Sequence, residues 1–196
     1  MPALGSWVKE GEEIGKMPKI KPYLNFNVKS GQMTHFIVDI PPEFILVVDT
    51  NEQIPLFISH GSITKQDYSG ELITTRQSLW LGDYSIKGFE SEITLEWKTI
   101  SDLYSSLFSD QKREWAKLSE ISKYHYKWLV IGGLESDVLR FQDFSKVSPN
   151  SMRGRLSDIE IRLRIPIYYA QDRHEAERFI LYRLVKYFRL KRGGEI

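Results

Sequence analysis

The sequence predicts an α/β domain in which a mixed central sheet is flanked by helices. From Phe44 onward, short apolar or alternating segments typical of strands come first. Segments with apolar residues at helical spacing follow, and a further buried strand comes after them. The chain has 196 residues, of which 41% are hydrophobic and 13% aromatic, so it suits one globular domain with a sizeable core.

The first residues differ in composition from the rest of the chain. Residues 1–30 are polar, rich in glycine, lysine and glutamate, and lack a convincing period, so we expect an arm there and one added strand from Thr34 to Asp39. The Pro41-Pro42 pair then marks a boundary. The predicted organisation is an N-terminal arm over residues 1–40 and a single domain over residues 41–196.

Four segments predict the sheet. The first is the apolar run that begins at Phe44 and ends with Asp49 and Thr50. A polar, turn-rich stretch over residues 61–70 predicts a loop. The other three strand-like segments are Glu71 to Gln77, Tyr84 to Lys87 and Glu92 to Lys98.

Helices and two further strands complete the prediction. Thr99 is positioned to cap a helix whose apolar residues recur at helical spacing, namely Ile100, Leu103, Tyr104 and Leu107. The remaining predicted elements are a helix from Ser109 to Lys123, a buried strand from Trp128 to Ile131, a helix from Pro149 to about Arg164, a strand over IPIYYA, and a helix capped by Asp172 that runs to about Leu190.

The most informative stretch of the chain runs from Leu81 to Leu103. Within it, ITLEWKT predicts a strand in which Glu96 and Lys98 point to one face and Trp97 to the other, because side chains alternate along a strand. Asp83 lies in a Gly-Asp-Tyr turn at the start of the preceding strand, and a short connection joins the two strands into a hairpin. We therefore expect two carboxylates and an ammonium group to converge.

These residue types suit metal-dependent cleavage of a phosphodiester. The reaction needs a divalent cation that neutralises phosphoryl charge and lowers the pKa of a water, and hard cations prefer carboxylate oxygens. We expect Asp83 and Glu96 to bind Mg²⁺ or Mn²⁺, with Asp49 and Glu52 as further ligands at the end of an upstream strand. Lys98 is suited to orient or deprotonate the water and to stabilise the transition state.

Each of these residues also has a simpler interpretation. Glu96 and Lys98 can form an ordinary surface ion pair, and Gly82-Asp83 can be only a turn. Asp49 can end its strand as a turn-forming residue, and Glu52 can be a solvated charge. No single one of these residues is specific for a metal site. The metal-site hypothesis rests on their order along the chain, which is Asp49 at a strand end, then Gly82-Asp83, then Glu96 and Lys98, followed four residues later by Asp102.

The series resembles the XPF family of structure-specific DNA endonucleases. The family signature is Gly-Asp, a variable spacer, Glu-Arg-Lys, three residues and Asp. The matching residues of this chain are Gly82-Asp83, Glu96-Trp97-Lys98 and, after three more residues, Asp102. The run VVDTNEQIP is similar to the family's first strand, and the likeness covers roughly residues 44–188. The chain most resembles compact, stand-alone members of bacterial and phage type.

The resemblance implies a restriction-endonuclease-like core and a set of residue roles. It implies metal ligation by Asp83 and Glu96, an acidic contribution from Asp49, and catalysis by Lys98. Asp102 completes the signature and is the fifth candidate catalytic residue. Asp102 also falls in the first turn of a predicted helix, where the helix dipole favours an acid, and this alternative stays open.

Two positions depart from the family pattern, because Trp97 and Asn51 stand where the family has arginine. Both changes remove positive charge. Since Trp97 points away from Glu96 and Lys98, we expect its indole to enter the core side of the sheet without touching the metal.

The resemblance implies an endonuclease that cuts branched or single-strand/double-strand junction DNA by water attack, leaving a 5′-phosphate and a 3′-hydroxyl. Longer relatives carry a C-terminal helix-hairpin-helix module, which we do not expect in this chain. Two alternatives stay open. One is a catalytically silent DNA-binding or scaffolding subunit of a nuclease complex, and the other is a Holliday-junction resolvase of the same fold.

Charge and composition bear on partners and location. The net charge is +1, but residues 1–150 carry 16 basic and 20 acidic residues whereas residues 151–196 carry 11 and 6, so the C-terminal part is the one suited to contact DNA phosphates. The absence of cysteine excludes disulfides and thiolate zinc sites. No membrane span or signal peptide is evident, so we expect a cytoplasmic protein. The resemblance implies that it is nucleoid-associated, in a bacterium or a phage-infected cell.

The last predicted helix bears on oligomerisation. Its large apolar residues exceed what an outer helix of a small domain usually requires, namely Phe179, Leu184, Tyr187 and Phe188. Together with the pairing of XPF relatives through the nuclease domain, this predicts a homodimer through the C-terminal region. Burial of these residues in the chain's own core is the alternative.

Overall fold

A six-stranded sheet forms the centre of the computed structural model, which describes residues 37–57 and 62–196. A second, parallel sheet has only two short strands. Numbered along the chain, the strands are β1 (Val38–Asp39), β2 (Ile45–Asp49), β3 (Tyr68–Ser69), β4 (Ile73–Gln77), β5 (Tyr84–Ile86), β6 (Ile93–Thr99), β7 (Tyr126–Gly132) and β8 (Ile167–Ala170).

The large sheet is mixed, with strand order β4-β2-β5-β6-β7-β8. The central strand β5 is antiparallel to β2 and to β6, whereas the pairs β2–β4, β6–β7 and β7–β8 are parallel. Parallel neighbours need crossover connections, and helices fill the connections after β6 and β7. The helices are α1 (Ile100–Tyr104), a π-helical turn (Ser105–Ser109), α2 (Gln111–Ile121), α3 (Glu135–Val138), α4 (Pro149–Arg162) and α5 (Arg173–Arg192).

Side-chain caps set the starts of three helices, and two of these caps, Thr99 and Asp172, were predicted. Thr99 accepts a hydrogen bond from the backbone N–H of Asp102 at the start of α1, and Asp172 accepts one from Glu175 at the start of α5. Ser148 caps α4 immediately before Pro149. The predicted mixed sheet flanked by helices is therefore confirmed, and α5 runs two residues beyond the predicted Leu190.

The sheet buries a different core on each face. One face packs Leu46, Tyr84 and Leu95 with Ile180 and Leu184 of α5. Each such large side chain contributes about 1.5–3 kcal/mol when it is fully buried. The named residues of β2, β5 and β6 therefore form one hydrophobic core with α5.

The opposite face is covered by the shorter helices. Leu129 and Ile131 of β7 pack with Leu103 of α1, Leu118 of α2 and Ile159 of α4. Because Val130 between them packs with the α5 face, β7 is buried on both sides, as a parallel strand in the middle of an α/β sheet should be.

The large apolar residues of α5 are buried within their own chain. The exposed fractions of Phe179, Leu184, Tyr187 and Phe188 are 9%, 0%, 2% and 3%. Burial in the chain's own core, the alternative to a dimer surface, therefore accounts for them. The homodimer stays a prediction without this support.

Some predicted elements lie outside the described residues or are shorter than predicted. Residues 1–36 of the predicted arm are outside the described part of the chain, and β1 covers only the end of the strand predicted from Thr34 to Asp39. The predicted loop over residues 61–70 is described from Ser62 and contains β3. Among the helices in the described ranges, none combines the length and apolarity that a bilayer crossing requires.

Candidate active site

Strand β6 carries the two charged residues that the sequence singled out. Glu96 and Lys98 form ion pairs with residues of α2, whereas Trp97 packs against the core beneath α5 on the other face. The residue Glu96 is only 2% exposed, and Lys98 Nζ lies 3.3 Å from Glu96 Oε1. The predicted alternation along this strand is therefore confirmed.

Asp83 reaches the same strand from the start of β5. Gly82 before it has φ +79°, and a Cβ at this position would lie 1.9 Å from Thr94 Oγ1, so this close approach requires glycine. The Oδ2 of Asp83 accepts the backbone N–H of Trp97 at 2.7 Å. The approach of Gly82 to β6 thus brings the Asp83 carboxylate beside Glu96.

Two residues of α2 complete this cluster. Lys98 Nζ lies 3.1 Å from Glu114 Oε1, and Lys117 Nζ lies 2.5 Å from Glu96 Oε1. Two carboxylates and two ammonium groups therefore alternate between β6 and α2. In the state without a bound cation, the lysines compensate the charge of Glu96.

Neither residue of α2 was predicted as part of the site, although the sequence carries a signal for Glu114. Glu114 precedes Leu118 by four residues and Ile121 by seven, which places it on the helix face that enters the core. An acid at a core-facing position needs a charged or hydrogen-bonding partner. The signal predicts that Glu114 has a buried partner. It does not predict which strand supplies that partner.

The pKa values of both Asp83 and Lys98 are raised in this cluster, but by different causes. Burial and, after it, the charge of Glu96 raise the pKa of Asp83 well above its usual range, although Lys117 acts in the opposite direction. Burial would lower the pKa of Lys98, but the charges of Glu96 and Glu114 outweigh it and raise that pKa. Lys98 is therefore held as an ammonium ion, which suits it to stabilise negative charge rather than to remove a proton.

Oxygens of Glu96 and Asp83 are suited to bind a divalent cation. Glu96 Oε2 is buried and has no hydrogen-bond partner among the described residues. A buried carboxylate oxygen without a partner is costly, and a metal ion relieves both that cost and the repulsion between Glu96 and Asp83. Across residues 37–57 and 62–196, no three acidic, histidine or cysteine side chains form a metal-holding group by themselves, so water or phosphate oxygens must complete the coordination.

Asp49 lies next to Asp83, but its carboxylate also has a structural use. The backbone N–H of Asp49 donates to the Asp83 carbonyl at 2.8 Å. Its Oδ1 accepts the N–H of Leu79 at 2.8 Å, and its Oδ2 accepts the N–H of Asn51 at 3.1 Å. The bond from Asn51 holds the turn that follows β2, and the bond from Leu79 ties this turn to the segment after β4. These structural roles explain Asp49, and its role at the metal stays a prediction.

Glu52 and Asp102 line a cleft of about 440 Å³, which we name the Trp97 cleft. Asp102 Oδ2 accepts the hydroxyl of Thr99 at 2.6 Å, and the Asp102 N–H donates back to Thr99 Oγ1, so this acid takes part in the helix cap. In the described part of the chain, the cleft is lined by Asn51, Glu52, Gln53, Ile54, Trp97, Thr99, Asp102 and Arg173. Asp83, Glu96 and Lys98 are thus brought together, whereas Glu52 and Asp102 face the cleft.

Much of the positive charge of the C-terminal part is paired within the chain. Arg178 lies 3.4 Å from Asp67, and Arg189 lies 2.6 Å from Asp39. Further pairs join Arg162 to Asp158, Arg173 to Glu177 and Lys191 to Glu92. The positive charge that residues 151–196 can present to a nucleic acid is therefore smaller than their excess of basic residues suggests.

Comparisons with known proteins agree with this architecture. The family model described as the ERCC4 domain matches residues 48–182. No curated protein matches the chain in sequence. XPF from Aeropyrum pernix has a solved structure that matches with a TM-score of 0.53 at 18% identity, covering 77% of this chain and 69% of that one. A structure of XPF from Aeropyrum pernix in complex with DNA matches with a TM-score of 0.54 at 15% identity, covering 76% of this chain and 66% of that one.

At these identities the structural matches show the fold alone. XPF nucleases have a restriction-endonuclease-like core, and the six-stranded mixed sheet between α5 and the shorter helices is of this type. The chain spans about two thirds of the length of the chains that it matches. The predicted fold class is therefore confirmed.

Proposed function

The chain belongs to the ERCC4 domain family of XPF-type nucleases, and from this membership we propose that it is a metal-dependent DNA endonuclease. We propose branched or single-strand/double-strand junction DNA as its substrate. The observation that carries the proposal is the convergence of Asp83, Glu96 and Lys98 on one face of the sheet. This set combines two carboxylates for a cation with one ammonium group for a phosphate.

Asp83 and Glu96 are the proposed ligands of Mg²⁺ or Mn²⁺, with Asp49 and Glu52 as supporting acids. When bound, the metal supplies charge neutralisation at the phosphoryl group and an activated water. The anchored Oδ2 of Asp83 and the unpartnered Oε2 of Glu96 provide a reason for metal binding that does not depend on the family.

Lys98 is proposed to stabilise the charge that develops on the phosphoryl oxygens. Its ammonium group is held between Glu96 and Glu114, at 3.3 and 3.1 Å, so little reorientation is needed when the phosphate arrives. Glu114 is a positioning residue in this account. The proposed reaction breaks the bond between phosphorus and the 3′ oxygen, which leaves a 3′-hydroxyl and a 5′-phosphate.

Calorimetric titration with Mn²⁺ tests the metal step separately from DNA cleavage. We expect wild-type protein to bind Mn²⁺, and we expect Asp83→Asn and Glu96→Gln each to weaken that binding. Glu120→Gln is the matched control, because Glu120 is exposed and its carboxylate pairs with Lys123. Binding that is absent, or that ignores both substitutions, would remove the physical basis of the enzymatic proposal.

A catalytically silent DNA-binding subunit is the second candidate, and one observation favours it. The ammonium groups of Lys98 and Lys117 already neutralise Glu96, so a cation must displace part of this network. The neutral residues Trp97 and Asn51 at two signature positions point the same way. DNA binding without metal-dependent cleavage would support this candidate.

The substrate and assembly are also proposals. Comparison of cleavage rates on flaps, forks and four-way junctions separates a junction or flap nuclease from a Holliday-junction resolvase. A homodimer through the C-terminal region remains an expectation, which light scattering of the purified chain checks directly.

A further inference from the structure

We propose that the Trp97 cleft receives one unstacked base of single-stranded DNA beside the bond that is cut. This inference rests on the proposed endonuclease function and names the part of the substrate that the site recognises.

The indole of Trp97 has a fixed position and remains partly exposed. A Cβ on Gly132 of β7 would lie 2.5 Å from Trp97 Cη2, so the ring lies directly against the backbone of the neighbouring strand. The same ring packs against the core beneath α5. A partly exposed aromatic ring that is fixed by the Gly132 backbone and by the core is a suitable surface for stacking a base, because little conformational freedom is lost on binding.

The charge of the cleft favours a base over a phosphate. Among the described residues of the lining, Glu52 and Asp102 contribute two carboxylates and Arg173 contributes one basic side chain. The guanidinium of Arg173 is already engaged with Glu177 and with the carbonyl oxygen of Pro55. Two carboxylates repel a phosphate but not an uncharged base, so the charge selects the neutral part of a nucleotide.

The rim of the cleft carries the groups that recognise base edges. Asn51 and Gln53 are exposed amides, each with a donor and an acceptor, and the carboxylates of Glu52 and Asp102 add acceptors. Amides pair with adenine, and carboxylates accept from the amino group of cytosine. We therefore infer a preference for cytosine over thymine, which differ in that amino group but share ring size.

The cleft is connected to the carboxylate cluster through Trp97 itself. The backbone N–H of Trp97 holds the Asp83 carboxylate at 2.7 Å, while its indole lines the cleft on the opposite face of β6. We infer that a nucleotide whose base stacks on the indole places its phosphate toward the end of β6 beside which Asp83 lies. The volume of about 440 Å³ is in the usual range for a small-molecule site, about 300–1,000 Å³.

Fluorescence anisotropy with two labelled single strands of equal length and charge tests the inference. One strand is oligo-dC, and the other has abasic deoxyribose at every position; both are measured in EDTA. We expect wild-type protein to bind oligo-dC about 5- to 150-fold more tightly than the abasic strand. Trp97→Ala should remove most of this ratio, and Trp97→Phe should keep much of it.

A second cleft variant and its control keep the test informative if Trp97→Ala fails to fold. Glu52→Gln, which replaces one accepting carboxylate of the rim, should reduce the preference for oligo-dC over oligo-dT, whereas the matched control Glu120→Gln on the exposed side of α2 should leave it unchanged. Equal affinity of wild-type protein for oligo-dC and the abasic strand would overturn the inference. So would a ratio that survives in folded Trp97→Ala.

The same assay separates this inference from the endonuclease proposal. Asp83→Asn should lose cleavage but keep the preference for strands with bases, because Asp83 does not line the cleft. A wild-type protein that cuts DNA but ignores bases would contradict only the inference. A protein that prefers bases but cuts no DNA with Mn²⁺ would contradict only the endonuclease proposal and would support the cleft as a binding site.

Discussion

The backbone N–H of Trp97 donates to the carboxylate of Asp83 at 2.7 Å, across the hairpin formed by β5 and β6. Because the donor belongs to the main chain, a change of side chain at position 97 leaves the bond in place. The tryptophan at this signature position therefore changes the cleft on one face of the strand without releasing the carboxylate on the other. Replacement of the family arginine by Trp97 therefore does not imply loss of the Asp83 carboxylate from the metal site.

Trp97→Arg should alter DNA binding while it leaves the metal site intact. The new guanidinium adds one phosphate contact, so the slope of log affinity against log salt concentration should steepen by about 1. Affinity for Mn²⁺ should stay near the wild-type value because Asp83 keeps its anchor. Binding titrations at several salt concentrations measure the slope, with Trp97→Phe as the control that adds no charge. An unchanged slope together with lost Mn²⁺ binding would contradict this account.

Asp83→Asn should stabilise the metal-free protein at neutral pH. The pKa of Asp83 is raised in the folded state, whereas that of an unfolded aspartate is about 3.9. The folded state therefore binds the proton more tightly, and stability is lost as pH rises from about 4 through the raised pKa. Asparagine removes the charge and keeps an acceptor for the Trp97 N–H, so we expect a gain of about 1 kcal/mol or more at pH 7.

Thermal unfolding between pH 4 and pH 8 in EDTA measures this difference. The gain of Asp83→Asn over wild type should grow with pH and vanish near the acidic end. Added Mn²⁺ should raise the melting temperature of wild-type protein more than that of the variant. Parallel stability curves for the two proteins would show that the buried carboxylate imposes no such cost.

Glu114→Gln should slow DNA cleavage while it changes Mn²⁺ affinity little. The substitution keeps the shape of the buried side chain but weakens the ion pair that orients Lys98, whose Nζ lies 3.1 Å from Glu114 Oε1. Loss of such an orienting partner typically costs about 10- to 100-fold in activity. Single-turnover rates measure the effect, with Glu120→Gln on the exposed side of α2 as the control. Equal single-turnover cleavage rates for Glu114→Gln and Glu120→Gln would show that Glu114 does not position Lys98 for catalysis.

Gly82→Ala should destabilise the fold much more than Gly88→Ala. Both glycines have positive φ, +79° and +86°, but only at Gly82 does a Cβ meet atoms of β6. We expect a loss of about 2–4 kcal/mol for Gly82→Ala and about 1 kcal/mol for Gly88→Ala, since the latter carries backbone strain alone. Urea unfolding measures both. Equal losses would mean that the close approach of Gly82 to Thr94 is not what requires glycine.

The parts of the site that the sequence predicts are those set by local geometry. The alternation of Glu96, Trp97 and Lys98 follows from the two-residue period of a strand, and the cap at Thr99 follows from side-chain chemistry within one helical turn. The mixed sheet follows from the order of strand and helix periods. These features depend on residues that are close along the chain.

The parts that the sequence does not predict depend on how distant elements pack. Helical period places Glu114 toward the core, but only the packing of α2 on β6 makes Lys98 its partner. Asn51 and Trp97 share a cleft because β2 and β6 lie on either side of β5, which no local pattern reveals. The aromatic residues of α5 are buried because one helix covers most of a sheet face, a feature that period alone does not distinguish from a dimer surface.

The most direct test is cleavage of labelled flap, fork, four-way-junction and linear DNA with Mn²⁺ or Mg²⁺. Wild type is compared with Asp83→Ala, Lys98→Ala and Asp102→Asn. We expect metal-dependent cutting that Asp83→Ala and Lys98→Ala abolish and that Asp102→Asn largely keeps, since Asp102 contacts Thr99 in the helix cap. Failure of wild type on every substrate, with DNA binding retained, would contradict the endonuclease account and support the silent subunit.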